Sequence, residues 1–248
     1  MVHSVVRSIA PEVAVVDICH EVPPHDVRAG SLTLVRAVQY LAPGVVLAVV
    51  DPGVGTVRRA VAVEVGDGEA VFVGPDNGLL APAVSLTGGA GRAVELTEQA
   101  YQLPAPGPTF AGRDVFAPAA AYLARGVDLA EFGPAVDPLS LVPGLVPLPR
   151  TEGDALATEV LWVDRFGNVQ LNVGPDEVDA MGDNVAVRWG EEMRMAHRVE
   201  AFDGIGAGQL GLLVDSYGLM ALALNRASAG EELALKPGDQ VTLEVPSR

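Results

Sequence analysis

A proline-rich stretch near the middle of the 248-residue chain separates two different patterns of apolar residues. Before residues 143–149, short β-branched runs alternate with segments of helical periodicity. After this stretch, short apolar runs follow one another with turn residues between them. Proline cannot donate a backbone hydrogen bond and it restricts the residue before it, so such a stretch is typical of a connection between domains. We expect an N-terminal domain over residues 1–145 and a C-terminal domain over residues 150–248.

The N-terminal pattern predicts an α/β domain, because runs suited to strands alternate with stretches suited to helices packed on a sheet. Such an alternation favours substantial parallel pairing between the strands. The predicted strands cover residues 13–18, 45–50, 60–65 and 70–73, with a turn at 66–68, and the predicted helices cover 30–41 and 113–125.

The C-terminal pattern predicts a smaller β domain, because short apolar runs recur at regular spacing with turns between them. A barrel or a sandwich would satisfy this pattern, and we expect a small β-barrel. The predicted strands cover residues 157–163, 169–173, 184–189, 193–199, 210–214, 220–224 and 240–245.

Composition excludes several classes of function. The formal net charge of −16 argues against a nucleic-acid-binding surface, which is normally basic. The longest apolar stretches are too short to cross a bilayer, and no signal peptide is recognisable, so we expect no membrane contact. The single cysteine, Cys19, excludes an internal disulfide and agrees with a cytoplasmic location; its apolar surroundings predict a small buried residue.

The segment Asp51-Pro-Gly-Val-Gly-Thr-Val-Arg58 follows an apolar run and places a carboxylate and a guanidinium on either side of a glycine-rich turn. The carboxyl ends of strands are where open α/β sheets usually bind ligands. Taken alone, such an aspartate more often caps a turn, and such an arginine more often lies on the surface.

Three further motifs follow in order: Thr109-Phe-Ala-Gly-Arg-Asp114, Val163-Asp-Arg-Phe-Gly-Asn-Val169 and the segment from Asp215-Ser-Tyr-Gly to Asn225-Arg226. Together the four motifs resemble the S-adenosyl-L-methionine (SAM) hydrolases that form adenosine, also called SAM hydroxide adenosyltransferases, which are related to the fluorinating and chlorinating enzymes. The resemblance implies that Asp51 and Arg58 hold and polarise an attacking water molecule. It also implies a histidine at the position of Ala111, and alanine offers no proton site and no hydrogen bond there.

Two explanations for Ala111 remain open. An engineered replacement would keep the pocket while slowing turnover, and a natural variant would have altered or lost activity. The intact neighbouring motif residues favour the engineered replacement.

The resemblance implies a substrate-binding role for ten further positions. Phe110 and Gly112 would line the pocket, and His25 would lie near the ribose. Asp164 would pair with the methionine ammonium, and Phe166 and Asn168 would hold the adenine. Ser216 and the Tyr217 backbone would bind the methionine carboxylate, and backbone groups near Asn225 and Arg226 would contact the adenine edge.

The implied reaction is hydrolysis of SAM to adenosine and L-methionine at C5′ of the ribose, without a cofactor, in a homotrimer with active sites between neighbouring subunits. A halide-using relative is one alternative, which the Asp51 and Arg58 pair disfavours. A protein that binds SAM or adenosine without turnover is another. His20, Glu21, His25 and Asp26 lie close in sequence, but the matching family segment binds no metal, so we expect none. The family's opening strand and its ribose-binding aspartate have no counterpart here, which predicts upstream residues or a different start.

Overall fold

The computed structural model describes residues 1–144 and 146–246, and the chain divides into two compact units, Met1–Val146 and Pro147–Arg248. The division falls within the proline-rich stretch, of which Leu145 lies outside the described residues. Among the described residues, no helix is long and apolar enough to cross a membrane.

The first unit contains a four-stranded sheet with the strand order β1-β3-β2-β4. Its strands are β1 (Gly44–Leu47), β2 (Ala60–Val65), β3 (Ala70–Pro75) and β4 (Ala90–Glu95). Its α-helices are α1 (Val2–Ile9), α2 (Val27–Val38), α3 (Ala81–Leu86) and α4 (Ala117–Ala124), with a π-helical turn at Gly112–Phe116 directly before α4. Short 3₁₀ turns lie at Gly66–Gly68, Gln99–Tyr101, Leu129–Phe132 and Pro138–Ser140.

The sheet is covered on both faces, as the two-residue period of β2 requires. Val61 and Val63 pack into one cluster with Leu34 and Val38 of α2. Ala62, which points to the opposite face, packs into a second cluster that contains residues of the π-helical turn and α4. The layered α/β arrangement predicted from the sequence is therefore confirmed.

Three N-terminal expectations are wrong. Residues 13–18 form no strand, and Val16 is 78% exposed, because the described residues offer this run no partner strand. Cys19 is likewise exposed. In the described part of the first unit, only β1 and β3 pair in parallel, so the expectation of substantial parallel pairing is wrong. The tight turn at Gly66–Gly68 joins β2 directly to β3 and can connect only antiparallel neighbours.

The second unit is a closed barrel of seven strands, which confirms the predicted β-barrel. The pairing follows the order β12-β8-β9-β10-β11-β7-β6, and β12 pairs with β6 to close the ring, while β5 extends along β6. The strands are β5 (Arg150–Glu152), β6 (Ala155–Val163), β7 (Val169–Leu171), β8 (Asn184–Trp189), β9 (Glu192–Arg198), β10 (Leu210–Val214), β11 (Met220–Leu224) and β12 (Gln240–Glu244). Short helices α5 (Pro175–Val178) and α6 (Ala229–Glu232) and 3₁₀ turns at Asp179–Met181 and Phe202–Gly204 connect them.

Alternation along the strands fills the barrel. Leu210 and Leu212 of β10 lie fully buried in the main core, together with Leu222 of β11. Leu213 points to the opposite face of the strand and packs in a small cluster with Ile205. The turns between neighbouring strands, among them those after β6 and β10, are therefore carried by a closed barrel.

Candidate active site

The central feature of the first unit is a buried ion pair between Asp51 and Arg58. Arg58 Nε donates to Asp51 Oδ1 at 3.0 Å, and Arg58 Nη2 donates to Asp51 Oδ2 at 2.6 Å. Only 6% of the Asp51 side chain and 11% of the Arg58 side chain are exposed. Such a two-point pair fixes the plane of the carboxylate and the direction of the guanidinium.

The loop between these residues is a succession of tight turns that brings its ends together. The Val54 amide donates to the Asp51 carbonyl at 3.3 Å, and the Thr56 hydroxyl donates to the Gly53 carbonyl at 2.7 Å. Gly55 has φ +78°, and a Cβ there would lie 3.1 Å from the Pro108 carbonyl oxygen. The glycine thus permits both the turn and the close approach of the 108–114 segment.

Two neighbouring side chains support the ion pair. The Arg58 guanidinium lies 5.3 Å from the centre of the ring of Phe116, which is fully buried. The Asn77 side-chain amide donates to the carbonyl of Val50 at 2.9 Å, and its oxygen accepts from the Leu79 amide. Asn77 therefore anchors the backbone immediately before Asp51.

The segment with Ala111 lies beside the residues that follow β1. A Cβ on Gly112 would lie 3.6 Å from the Val49 side chain and 3.4 Å from the Phe110 ring. Phe110 is half-buried, and the guanidinium of Arg113 lies 5.0 Å from the centre of its ring.

Arg113 and the buried Asp114 form a second two-point ion pair, at 2.6 and 2.9 Å. Its hydrogen bonds raise the pKa of Arg113 above the ordinary arginine value. This pair joins two neighbouring residues of the π-helical turn.

Arg58 and Ala111 line the same cleft of about 740 Å³ in the first unit. Thr56, Pro108 and Asp114 contribute to the same wall. The structure thus brings the predicted arginine and the position of the missing histidine to one cavity that is large enough for small molecules.

The residues near His25 do not form a single cluster. His25 is exposed in a turn with φ +67°, and Asp26 caps α2 by accepting from the Ala29 amide at 2.8 Å. His20 instead contacts Asp17, together with His3 of α1. Hydrogen bonds from His20 and His3 lower the pKa of Asp17.

In the second unit, Asp164 organises the turn between β6 and β7. Its carboxylate accepts from the amides of Phe166 and Asn168, at 2.8 and 2.9 Å, and from the Asn168 side chain at 2.8 Å. Phe166 is 73% exposed at the tip of this turn. A carboxylate has about four acceptor sites, so Asp164 retains capacity for a ligand.

Asp215 plays the same part in the turn between β10 and β11. It accepts from the amides of Tyr217 and Leu219, at 2.8 and 3.1 Å, and from the side chain of Gln170. Ser216 and Tyr217 are therefore held exposed at the tip of the hairpin.

The predicted substrate-binding residues of this unit fall into two groups at opposite ends of β11. The register pairs Val169 with Leu222, so the Asp164 turn lies toward the end of β11 that leads to Asn225 and Arg226. Ser216 and Tyr217 precede β11 at its other end. Asn225 donates its side-chain amide to the Ile205 carbonyl at 3.0 Å, and Arg226 is exposed with φ +58°.

Three supporting residues were not found from the sequence: Asn77, Phe116 and Gln170. Asn77 stands in an Asp-Asn-Gly run that indicates only a turn, although it directly follows the strand beside β1. Phe116 and Gln170 stand in apolar or strand-like surroundings, which conceal their contacts with Arg58 and Asp215.

Two family models together match most of the chain. The model described as the SAM hydroxide adenosyltransferase N-terminal domain matches residues 1–133, and the corresponding C-terminal domain model matches residues 158–242. An (R)-S-adenosyl-L-methionine hydrolase of Salinispora tropica is 46% identical over 239 residues, which cover 96% of this chain and 89% of that protein.

More distant relatives extend this likeness. A fluorinase of an Actinoplanes species is 28% identical over 270 residues, with 95% of this chain and 89% of that protein covered. The crystal structure of an uncharacterized conserved protein from Thermotoga maritima matches with a TM-score of 0.89 at 34% identity, and covers 98% of this chain and 93% of its own.

Proposed function

The chain belongs to the SAM hydroxide adenosyltransferase family, and from this membership we propose that it hydrolyses SAM to adenosine and L-methionine. The observation that carries the proposal is the buried two-point pair of Asp51 and Arg58, whose arginine lines the same cleft as Ala111. The similar hydrolase from Salinispora tropica supports the choice of SAM as substrate.

The proposed step is a displacement at C5′ of the ribose. A water oxygen forms the new bond to C5′ while the bond from C5′ to sulfur breaks, and the proton of the water passes to solvent. Methionine leaves as a neutral thioether because the sulfonium is already cationic, so the departure needs no general acid. The protein's main contribution is then to align water, carbon and sulfur.

Arg58 is the group that we assign to the attacking water. Its Nε and Nη2 atoms are used on Asp51, and no partner for Nη1 is found among the described residues. Asp51 fixes the guanidinium, and the Phe116 ring supports it from a buried position. This arrangement holds a donor in one direction, and a fixed donor stabilises charge without reorganising during the reaction.

Ala111 removes the group that would take the proton from water. A positioned acid–base group typically contributes a factor of about 10²–10⁴ to the rate. We therefore propose slow hydrolysis by this chain, with binding retained.

The barrel unit is proposed to bind the two ends of SAM. The turn that carries Phe166 and Asn168 lies toward the same end of β11 as Asn225 and Arg226, which suits the adenine. Asp164 lies on this turn as well, so β11 separates it from Ser216, although the resemblance assigns both residues to the amino acid group of methionine. Ser216 and the Tyr217 backbone lie at the other end, which suits the methionine carboxylate. The net charge of −16 favours the approach of a sulfonium cation.

Several further parts of the proposal rest on family membership. We propose a homotrimer in the cytoplasm that requires no cofactor, because SAM is itself the substrate. Analytical ultracentrifugation of the purified chain would test the trimer.

Chromatography of SAM incubated with the chain, and with its Ala111→His variant, tests the reaction. Release of adenosine and methionine that is much faster with the variant supports the hydrolase. Equal rates would remove position 111 from the mechanism. Binding of SAM without adenosine from either protein would favour a binding protein, and a halogenated adenosine formed in chloride or fluoride would favour the halide-using alternative.

A further inference from the structure

Three side chains of the types that can bind a metal ion converge at the start of the first unit, outside the proposed catalytic residues. His3 lies on α1, whereas Asp17 and His20 belong to the extended segment that follows it. The Nε2 atoms of His3 and His20 lie 2.7 and 2.8 Å from the same oxygen, Asp17 Oδ1. One possible donor atom from each of these residues lies within 4.8 Å of the others.

The spacing of these atoms is close to that of a metal's ligand shell. Zinc binds imidazole nitrogen and carboxylate oxygen at about 2.0–2.1 Å, so neighbouring ligands of a tetrahedral ion lie about 3.3 Å apart. Lengthening each nitrogen–oxygen distance by about half an ångström would bring it to this spacing. The side chains are 44%, 49% and 74% exposed for His3, Asp17 and His20, which leaves them room to move.

We propose that His3, Asp17 and His20 form a surface site for zinc, with water as the fourth ligand. Two imidazoles select a transition metal over magnesium or calcium, which prefer oxygen ligands. The exposed side of the cluster admits the water that a three-ligand zinc site keeps. The simpler arrangement, in which Asp17 only accepts two hydrogen bonds, needs no metal and is the alternative that the experiment separates.

Zinc at this site would join α1 to a segment that lacks helix or strand. Residues 14–19 form neither, and Val16 is largely exposed. Helix α1 packs on α4 through Val6 and Ala117, so it is already fixed to the unit. The metal would thus link the extended segment to a helix that already packs on α4. This structural role would not depend on SAM hydrolysis.

The test is calorimetric titration of the full, tag-free and metal-stripped chain with zinc chloride. The matched variants are His3→Ala and Asp17→Asn, and the control is His197→Ala, which removes a histidine of β9 in the barrel unit. We expect one zinc per chain in the unmodified protein and in the control. Loss of a direct ligand should weaken zinc binding at least about tenfold. Loss of a residue that only hydrogen-bonds to a metal ligand already weakens metal binding by about 10–100-fold.

Thermal unfolding with and without zinc provides a second readout. Zinc should raise the Tm of the unmodified chain and of the control, and leave the Tm of both site variants unchanged. The proposal is overturned if the unmodified chain binds no stoichiometric zinc. It is also overturned if His3→Ala binds zinc as tightly as the unmodified chain, or if magnesium binds equally well.

Discussion

At the scale of single residues, the burial of Arg58 with Asp51 carries an energetic consequence. Its guanidinium and the Asp51 carboxylate are both almost removed from solvent. Removing one partner of such a pair leaves an uncompensated buried charge, which is costly even where the intact pair adds little stability. The two residues are therefore constrained by stability as well as by the proposed chemistry.

We expect Asp51→Asn to lower the free energy of unfolding by about 3–5 kcal/mol, because Arg58 would lose its charged partner. Glu64→Gln is the matched control, since Glu64 pairs with Arg92, whose side chain is 55% exposed; the control should lose less than about 1 kcal/mol. Urea denaturation of both variants measures the difference. Equal decreases in the free energy of unfolding would mean that burial of the Asp51 pair does not increase the cost of removing one partner.

The position of Ala111 predicts chemical rescue. The cleft beside it has a volume of about 740 Å³, which is ample for free imidazole. We expect added imidazole to accelerate adenosine release by the chain with Ala111, because it supplies the missing proton acceptor. The Ala111→His variant should show no such gain. A rate that does not depend on imidazole concentration in either protein would contradict a base at this position.

At the scale of secondary structure elements, the segment that follows β1 is contacted from two sides at Val50. The Asn77 amide donates to Val50 from the turn after β3, and Gly30 of α2 lies against the Val50 side chain. Asp51 follows this fixed residue directly. The position of the carboxylate thus depends on how the neighbouring strand and helix pack.

We expect Asn77→Ala to reduce kcat more than it changes KM, because Asn77 positions the backbone before Asp51 and is not assigned to SAM. The Ala111→His background provides a measurable rate for this comparison. The lost hydrogen bond should also cost about 0.5–1.5 kcal/mol of stability. A variant with unchanged kcat but reduced stability would restrict Asn77 to a structural role.

Substitution of Gly30 tests the contact between α2 and Val50. A Cβ at Gly30 would lie 2.8 Å from Val50 Cγ2 and 2.9 Å from Leu79 Cδ1. We therefore expect Gly30→Ala to destabilise the protein by about 1–3 kcal/mol through overpacking. Gly107→Ala is the control, because a Cβ there meets nothing within 4 Å. Thermal unfolding of the two variants would show whether the site tolerates a methyl group.

At the scale of the whole molecule, several ion pairs and turns depend on ionised carboxylates. The pKa of Asp17 is lowered by His20, that of Asp128 by the Ala130 amide and that of Glu244 by Arg188. Each fold-stabilised carboxylate contributes stability above its ordinary pKa and loses that contribution as the pH falls through its lower pKa in the folded state.

We expect the urea midpoint to decline as the pH falls below the ordinary values of 4.5 for glutamate and 3.8 for aspartate. The sign follows because the unfolded chain binds protons at a higher pH than the folded chain does. Glu244→Gln should decline less over this range than the unmodified protein. A midpoint that rises on acidification through this range would contradict the prediction.

The sequence predicted the barrel more fully than the first unit, for physical reasons. Barrel strands such as β8 and β10 pair with neighbouring strands in the described chain, so their apolar periodicity predicts their strand structure correctly. Residues 13–18 have equally strong β-branched character but no partner strand among the described residues, and a strand requires one. The motif residues at the candidate site were also visible, whereas the contacts of Asn77 and Phe116 depend on long-range packing that periodicity does not encode.

The barrel's closure also gives it the properties of a molecular ruler. Each of the seven strands of the ring is hydrogen-bonded to a neighbour on both sides. The five residues of β11 therefore set the distance between the two turns that are proposed to bind SAM. A ligand that is bound by both turns must have a length that matches this distance. A SAM analogue with one extra methylene between sulfur and the amino acid group would then have to lose its contacts with one turn or bend its chain. Selectivity for chain length would therefore come from the length of the strand rather than from any single contact.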